Sequence, residues 1–186
     1  TAARIQSGGA AISSSGILYF AQPADSNSGN KTTIRRVDLG TGRIEAFAGS
    51  GDIDGPLGDG GDALAASFLA DQIAVGPDGD VFIADSWHRR IRRIDAVTRI
   101  ITTVVGNGEV PNPDSVHDGE SATSAPISTA FGFALDGDGR LVVITSSGSN
   151  ESDQVTIRVI RVEDELLHVI SEHSLGVSSD GSPLAT

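Results

Sequence analysis

The chain has 186 residues, 13 Lys+Arg against 25 Asp+Glu, a formal net charge of −12 and no cysteine. With 38% hydrophobic and 20% charged residues the composition is that of a globular domain. It excludes disulfides, thiolate metal sites and cysteine nucleophiles, and it argues against nucleic acid as a partner, since phosphate backbones are gripped by clustered Lys and Arg. No apolar run approaches the roughly 20 residues of a membrane span, so direct membrane insertion is not expected.

In chain order, the first element is a short hairpin, Ala11-Ile12-Ser13-Ser14-Ser15-Gly16-Ile17-Leu18-Tyr19-Phe20-Ala21. Apolar runs flank a tight turn with glycine, which is a hairpin signature. A second hairpin follows, with Thr33 to Asp38, a Gly40-Thr41-Gly42 turn and Ile44 to Phe47. The pair then recurs twice. Ala74 to Asp85 turns at Gly79 and is followed by Arg90 to Asp95 and Ile100 to Val105; Ala134 to Ile144 turns at Gly139 and is followed by Thr156 to Arg161, a turn at Glu163 to Glu165, and Leu166 to Ile170. Gly16, Gly79 and Gly139 set a period of about 60 residues, in the range of one propeller blade with long loops. Strands A to D of each unit predict an all-β chain, a β-propeller of four-stranded antiparallel blades: blade 1 about 9–49, blade 2 about 72–106 and blade 3 about 131–171. All lie in one segment spanning residues 1–186.

The D-to-A linkers repeat as well. Gly58-Asp59-Gly60-Gly61, His117-Asp118-Gly119-Glu120 and Ser179-Asp180-Gly181-Ser182 stand in equivalent places, and Thr186 corresponds to Ala65 while Thr1 corresponds to Leu64. The expectation is a whole number of repeats, cut within a linker. The absence of Met, even at position 1, reads as a processed or trimmed end. With the acidic surface and the lack of cysteine, it suggests an extracytoplasmic protein: secreted, periplasmic or in an organelle lumen.

Repeat 2 carries Gly58-Asp59-Gly60-Gly61, Ile73-Ala74-Val75, Pro77-Asp78-Gly79, Val81 to Asp85, Arg90-Ile91-Arg92-Arg93-Ile94-Asp95 and Ile101 to Gly106. It resembles an NHL-repeat β-propeller over roughly residues 58 to 106, and repeats 1 and 3 match in outline. The resemblance implies a ring of six blades, so this chain holds half of one. It also implies a structural ion pair between the Asp closing strand B and the Arg opening strand C, here Asp85 and Arg90. Thr33 and Thr156 stand where that Arg would be in repeats 1 and 3, and His88-Arg89 replaces an Asn-His pair. The wider cluster Arg89, Arg90, Arg92 and Arg93 reads as guanidinium groups paired with Asp85, Asp95 or carbonyls between blades. Half a ring leaves two apolar blade faces open, so a protein partner or a second copy is expected to cover them.

The D–A and B–C loops share one face of a propeller. They carry Asp52, Asp54, Asp59, Asp62, Asp114 and Asp118, together with Trp87, His88 and Arg89, which are the candidate partner-binding residues. The alternative is a solvated loop face in which Asp and Gly supply turn geometry. Asp136-Gly137-Asp138-Gly139 resembles the opening of a calcium loop but lacks its later ligands, and a plain hairpin turn accounts for the same residues. His88 and His117 fall on one face and are candidate zinc ligands, without the three-histidine pattern of amidating lyases of related architecture. No catalytic residue is assigned and no cofactor is expected beyond these candidate calcium or zinc positions. The reading is a non-catalytic scaffold for protein–protein interaction within an oligomer or larger complex; the alternative is a metal-dependent hydrolase or lyase of the six-bladed class.

Overall fold

The computed structural model describes residues 9–23, 32–110, 118–127, 132–147 and 154–176. Among these residues twelve strands make three four-stranded antiparallel sheets, each a meander in chain order. Blade 1 is β1 (Ala10–Ile12), β2 (Ile17–Pro23), β3 (Thr32–Asp38) and β4 (Ile44–Ala48). Blade 2 is β5 (Ala70–Val75), β6 (Val81–Asp85), β7 (Arg90–Ile94) and β8 (Ile101–Val105), and blade 3 is β9 (Gly132–Leu135), β10 (Leu141–Ser147), β11 (Gln154–Glu163) and β12 (Leu166–Gly176). Among the described residues the only helix is a single 3-10 turn, Ala63–Ala65, in the linker between blades 1 and 2.

Apolar side chains on both faces of each sheet explain the strand pattern. One core lies between blades 1 and 2 and joins Tyr19, Ile34 and Phe47 to Ile73, Val81, Ile83, Ile94 and Ile101, with Ala63, Ala66 and Phe68 of the linker. The second lies between blades 2 and 3 and joins Ala84, Ile91 and Val105 to Phe133, Leu141, Val143, Ile160 and Leu167, with Ala122, Ala125 and Ile127 of the next linker. A strand buried on both faces reads as a continuous apolar run rather than an alternation, as Val81 to Ala84 does. The Ala-rich linkers are thus part of the core.

Each blade consequently has a leading face toward the blade before it. In blade 2 this face is Val75, Val81, Ile83, Ile94 and Ile101, which pack into the first core. The strand register assigns the equivalent positions of blade 1 to Ile12, Leu18, Phe20, Val37 and Ile44.

The register also corrects the third repeat. Thr145 pairs with Arg158 as Asp85 pairs with Arg90, so Arg158, not Thr156, occupies the strand-C opening position. The offset of two arises in the C–D turn. In blade 3 it is the two-residue turn Asp164-Glu165, with φ of 52° and 64°, the left-handed pair that a tight hairpin needs. In blade 2 the turn spans Asp95 to Arg99 and is closed by the Asp95 carboxylate. Beyond that turn β12 continues to Gly176, past the approximate boundary at 171.

Candidate functional site

The charged residues of repeat 2 converge where the preceding linker crosses strands C and D. The linker runs alongside β8: Gly60 N–H donates to the Ile101 carbonyl (2.8 Å) and Ile101 N–H to the Gly61 carbonyl (3.0 Å). That places Asp59 against β7. Its Oδ1 accepts from Arg92 Nη2 at 2.8 Å, its Oδ2 accepts from Thr103 Oγ1 at 2.7 Å, and Arg92 Nη2 also donates to the Leu57 carbonyl at 2.9 Å. Arg92 is completely buried, and on its other side Nη1 lies 3.6 Å from the Asp85 carboxylate, itself completely buried.

Asp85 is the hub of this network. It accepts from the backbone N–H groups of Leu69 (3.1 Å) and His88 (3.4 Å), and His88 Nδ1 lies 2.8 Å from its Oδ2. A carboxylate out of contact with water requires such a set of donors. The expected Asp85–Arg90 ion pair is therefore corrected: the two residues face each other across the β6–β7 register, but Asp85 holds His88 and Arg92. Arg90 turns to carbonyls, donating to His88 (2.7 Å) and to Asn107. It lies so close over Gly108 that a Cβ there would strike the guanidinium, and Gly108 also has φ of 89°. The Gly106-Asn107-Gly108 run, which sequence reasoning did not single out, marks this seat.

The remaining candidates are spread over several sites. Arg93 pairs with buried Asp80, which sequence reasoning did not single out, and Asp95 closes its own turn rather than pairing with an arginine. Asp62 caps the 3-10 turn through Leu64 N–H (3.0 Å), and Asp52 accepts from Asp54 N–H (3.3 Å) within its loop. Asp118 accepts from Val169 N–H (3.0 Å), the position in blade 3 equivalent to Thr103. Trp87 is 52% exposed and Arg89, beside it, sits at φ 51°. Asp136 accepts from the N–H groups of Asp138 and Arg140 (both 2.9 Å), and Arg140 Nη1 bridges Asp136 and Asp138 at 3.6 and 3.1 Å, so this turn is closed by a cation of the chain itself. The N–H of Arg140 holds the Asp136 carboxyl below its ordinary pKa, and the N–H groups of Thr98 and Thr41 do the same for Asp95 and Asp38.

Asp136 and Asp138 lie in an A–B turn and His88 in a B–C loop, at opposite ends of the strands, so these metal candidates are not brought together. Among the described residues no group of three His, Asp or Glu side chains is placed so that it could hold a metal ion. Asp114 and His117 lie outside the described residues. Sequence reasoning also missed Gln72, whose carboxamide donates to the Phe133 carbonyl (2.6 Å) and accepts from Phe133 N–H (2.9 Å), stitching the first strands of blades 2 and 3 together.

No protein-family model matches the chain. Over 143 residues it is 30% identical to the Arabidopsis thaliana protein SUPPRESSOR OF QUENCHING 1, chloroplastic, covering 71% of this chain and 12% of that protein. Among solved structures it is similar to a chain of a nidogen/laminin complex (TM-score 0.53, 15% identity, 90% of this chain and 49% of that one). It is also similar to an auxiliary nutrient binding protein from Bacteroides ovatus (TM-score 0.51, 17% identity, 86% of this chain and 35% of that one). The fold is a β-propeller. The chain spans less than half the length of each of these structures and about an eighth of the plant protein. Among the described residues no helix is long and apolar enough to cross a membrane.

Proposed function

We propose that the chain is a non-catalytic propeller segment that works as a protein–protein interaction scaffold, its flanking blade faces covered by a partner or by a second copy. The observation that carries this reading is the leading face of blade 1. Ile12 is 61% exposed and Ile44 54%, whereas Ile101, the blade 2 equivalent of Ile44, is completely buried. At the other flank, Ile144 and Ile170 of blade 3 are also exposed. Two such apolar sheet faces on one body mark association surfaces.

The polar network supports the non-catalytic half of the reading. Asp59, Asp85, His88 and Arg92 hold one another and the linker backbone, which is a structural use of groups that would otherwise be candidates for chemistry. The same proposal places the protein outside the cytosol or in an organelle, supported by the likeness to a protein whose name includes "chloroplastic".

Sedimentation velocity on the purified chain tests the association, with Ile44→Asp and Ile144→Asp as face variants. The expected result is concentration-dependent association that either variant weakens while circular dichroism stays unchanged. A wild-type chain that sediments as a monomer at every concentration overturns coverage by a second copy and leaves a different protein as the only cover for these faces. Its non-catalytic half falls if the purified protein carries a stoichiometric divalent metal that His88→Ala removes.

A further inference from the structure

The outer edge of each blade supplies a more specific surface. In blade 2 that edge, β8, is taken by Gly60 and Gly61 as described, with Asp59 on Arg92. In blade 3 the edge of β12 is taken in the same way: Gly119 N–H donates to the Leu167 carbonyl (2.8 Å), Leu167 N–H to the Glu120 carbonyl (2.9 Å), and Asp118 accepts from Val169 N–H. Both described Asp-Gly linkers thus hydrogen-bond along the outer edge of the blade that follows them. The corresponding edge of β4 in blade 1 has no such neighbour among the described residues. Ile44 is the equivalent of Ile101 and Leu167 on that edge.

The acceptor and a matching donor are both in this chain. Arg35 is the blade 1 equivalent of Arg92, by its pairing with Phe20 and Ala46 where Arg92 pairs with Ile83 and Thr103. Among the described residues it meets no carboxylate, only the Gln22 side chain at 3.3 Å. Residues 177–186 lie beyond the described residues and contain Ser179-Asp180-Gly181-Ser182, the third copy of the linker. It follows blade 3 and so is the linker due to dock on a next blade.

Resting on the reading above, we infer that the edge of β4 is the docking site for residues 179–182 of a second copy, with Asp180 on Arg35 and Gly181-Ser182 paired alongside Ile44. The trailing face of blade 3, with Ile144 and Ile170, then covers the leading face of blade 1. The contact is heterologous: two surfaces of different make-up meet, and two copies in mutual exchange use both. Main-chain pairing supplies affinity and the buried charge pair fixes the register, as in other strand additions to a sheet edge.

The test uses the full chain and a charge exchange. Arg35→Asp and Asp180→Arg are each expected to weaken self-association by about tenfold or more, because like charges then meet at the contact. An equimolar mixture of the two variants, or the double variant, is expected to recover it, which also shows that both variants fold. A second readout uses the absence of native cysteine: Ile44→Cys with Ser182→Cys is expected to form a disulfide between chains on oxidation, giving twice the 19.1 kDa mass under non-reducing conditions. Association indifferent to both charge variants, or a disulfide formed within one chain, overturns this inference and leaves the scaffold reading standing. A chain that does not associate overturns this inference together with the second-copy form of that reading.

Discussion

Blades 1 and 2 share one pattern and differ in what surrounds it. Both have apolar residues at the same five leading-face positions and an arginine at the same place in strand C. In blade 2 these groups are sealed: Ile101 and Arg92 are completely buried, under blade 1 and its Asp-Gly linker. In blade 1 Ile44 and Ile12 face solvent and Arg35 makes do with a glutamine. A repeat therefore encodes the groups that a neighbour will cover, and the neighbour sets how much each contributes to stability.

The largest expected effect separates the two arginines. Arg92→Met leaves the completely buried Asp85 without its cation and should cost roughly 3–5 kcal/mol, whereas Arg35→Met, at a half-buried site of the dissociated chain, should cost about 1 kcal/mol or less. Urea denaturation of both variants checks this, and equal losses would break the comparison. The next contrast is apolar. Ile101→Ala should cost roughly 2–5 kcal/mol as an enclosed cavity forms, and Ile44→Ala only about 0.5 kcal/mol for the isolated chain. If Ile44→Ala proves as costly as Ile101→Ala, the leading face of blade 1 is already covered in solution.

A smaller effect is expected in the tight turn of blade 3, where Glu165 holds φ of 64°. Glu165→Gly should stabilise by about 1 kcal/mol, measured as a rise in the urea midpoint, since glycine adopts that conformation without a Cβ clash. The smallest effect is electrostatic. Asp38 and Asp95 close equivalent turns in blades 1 and 2, and both have folded pKa values depressed first by a threonine N–H. A depressed carboxylate contributes stability that is present above its unfolded pKa, near 3.9, and lost as pH falls through the folded value. NMR titration of the two carboxylates should give midpoints below 3.8 in both blades, sharpening the point that local turns do not depend on a neighbour.

The third repeat shows where sequence reading slips. Its glycine spacing and apolar runs place the four strands, yet Thr156 aligned with Arg90 when the structure puts Arg158 there. Hairpin register depends on the turn, and Asp164-Glu165 gave no glycine to mark a two-residue turn. Asp85 and Arg90 were legible as partners because they are cross-strand neighbours. That Arg92 takes the place beside Asp85 depends on Asp59, a residue of the linker 33 positions earlier in the chain, meeting Arg92 from the other side.

The amino-acid sequence by itself determined the all-β class, the threefold recurrence and the propeller blade, because strand periodicity and turn chemistry are local properties. Only the tertiary structure decided which carboxylate meets which arginine, that the two described Asp-Gly linkers pair with blade edges, and which like positions, such as Ile101 and Ile44, are buried or exposed. Those outcomes turn on contacts between distant segments, where desolvation of charge and exclusion of water depend on what packs alongside.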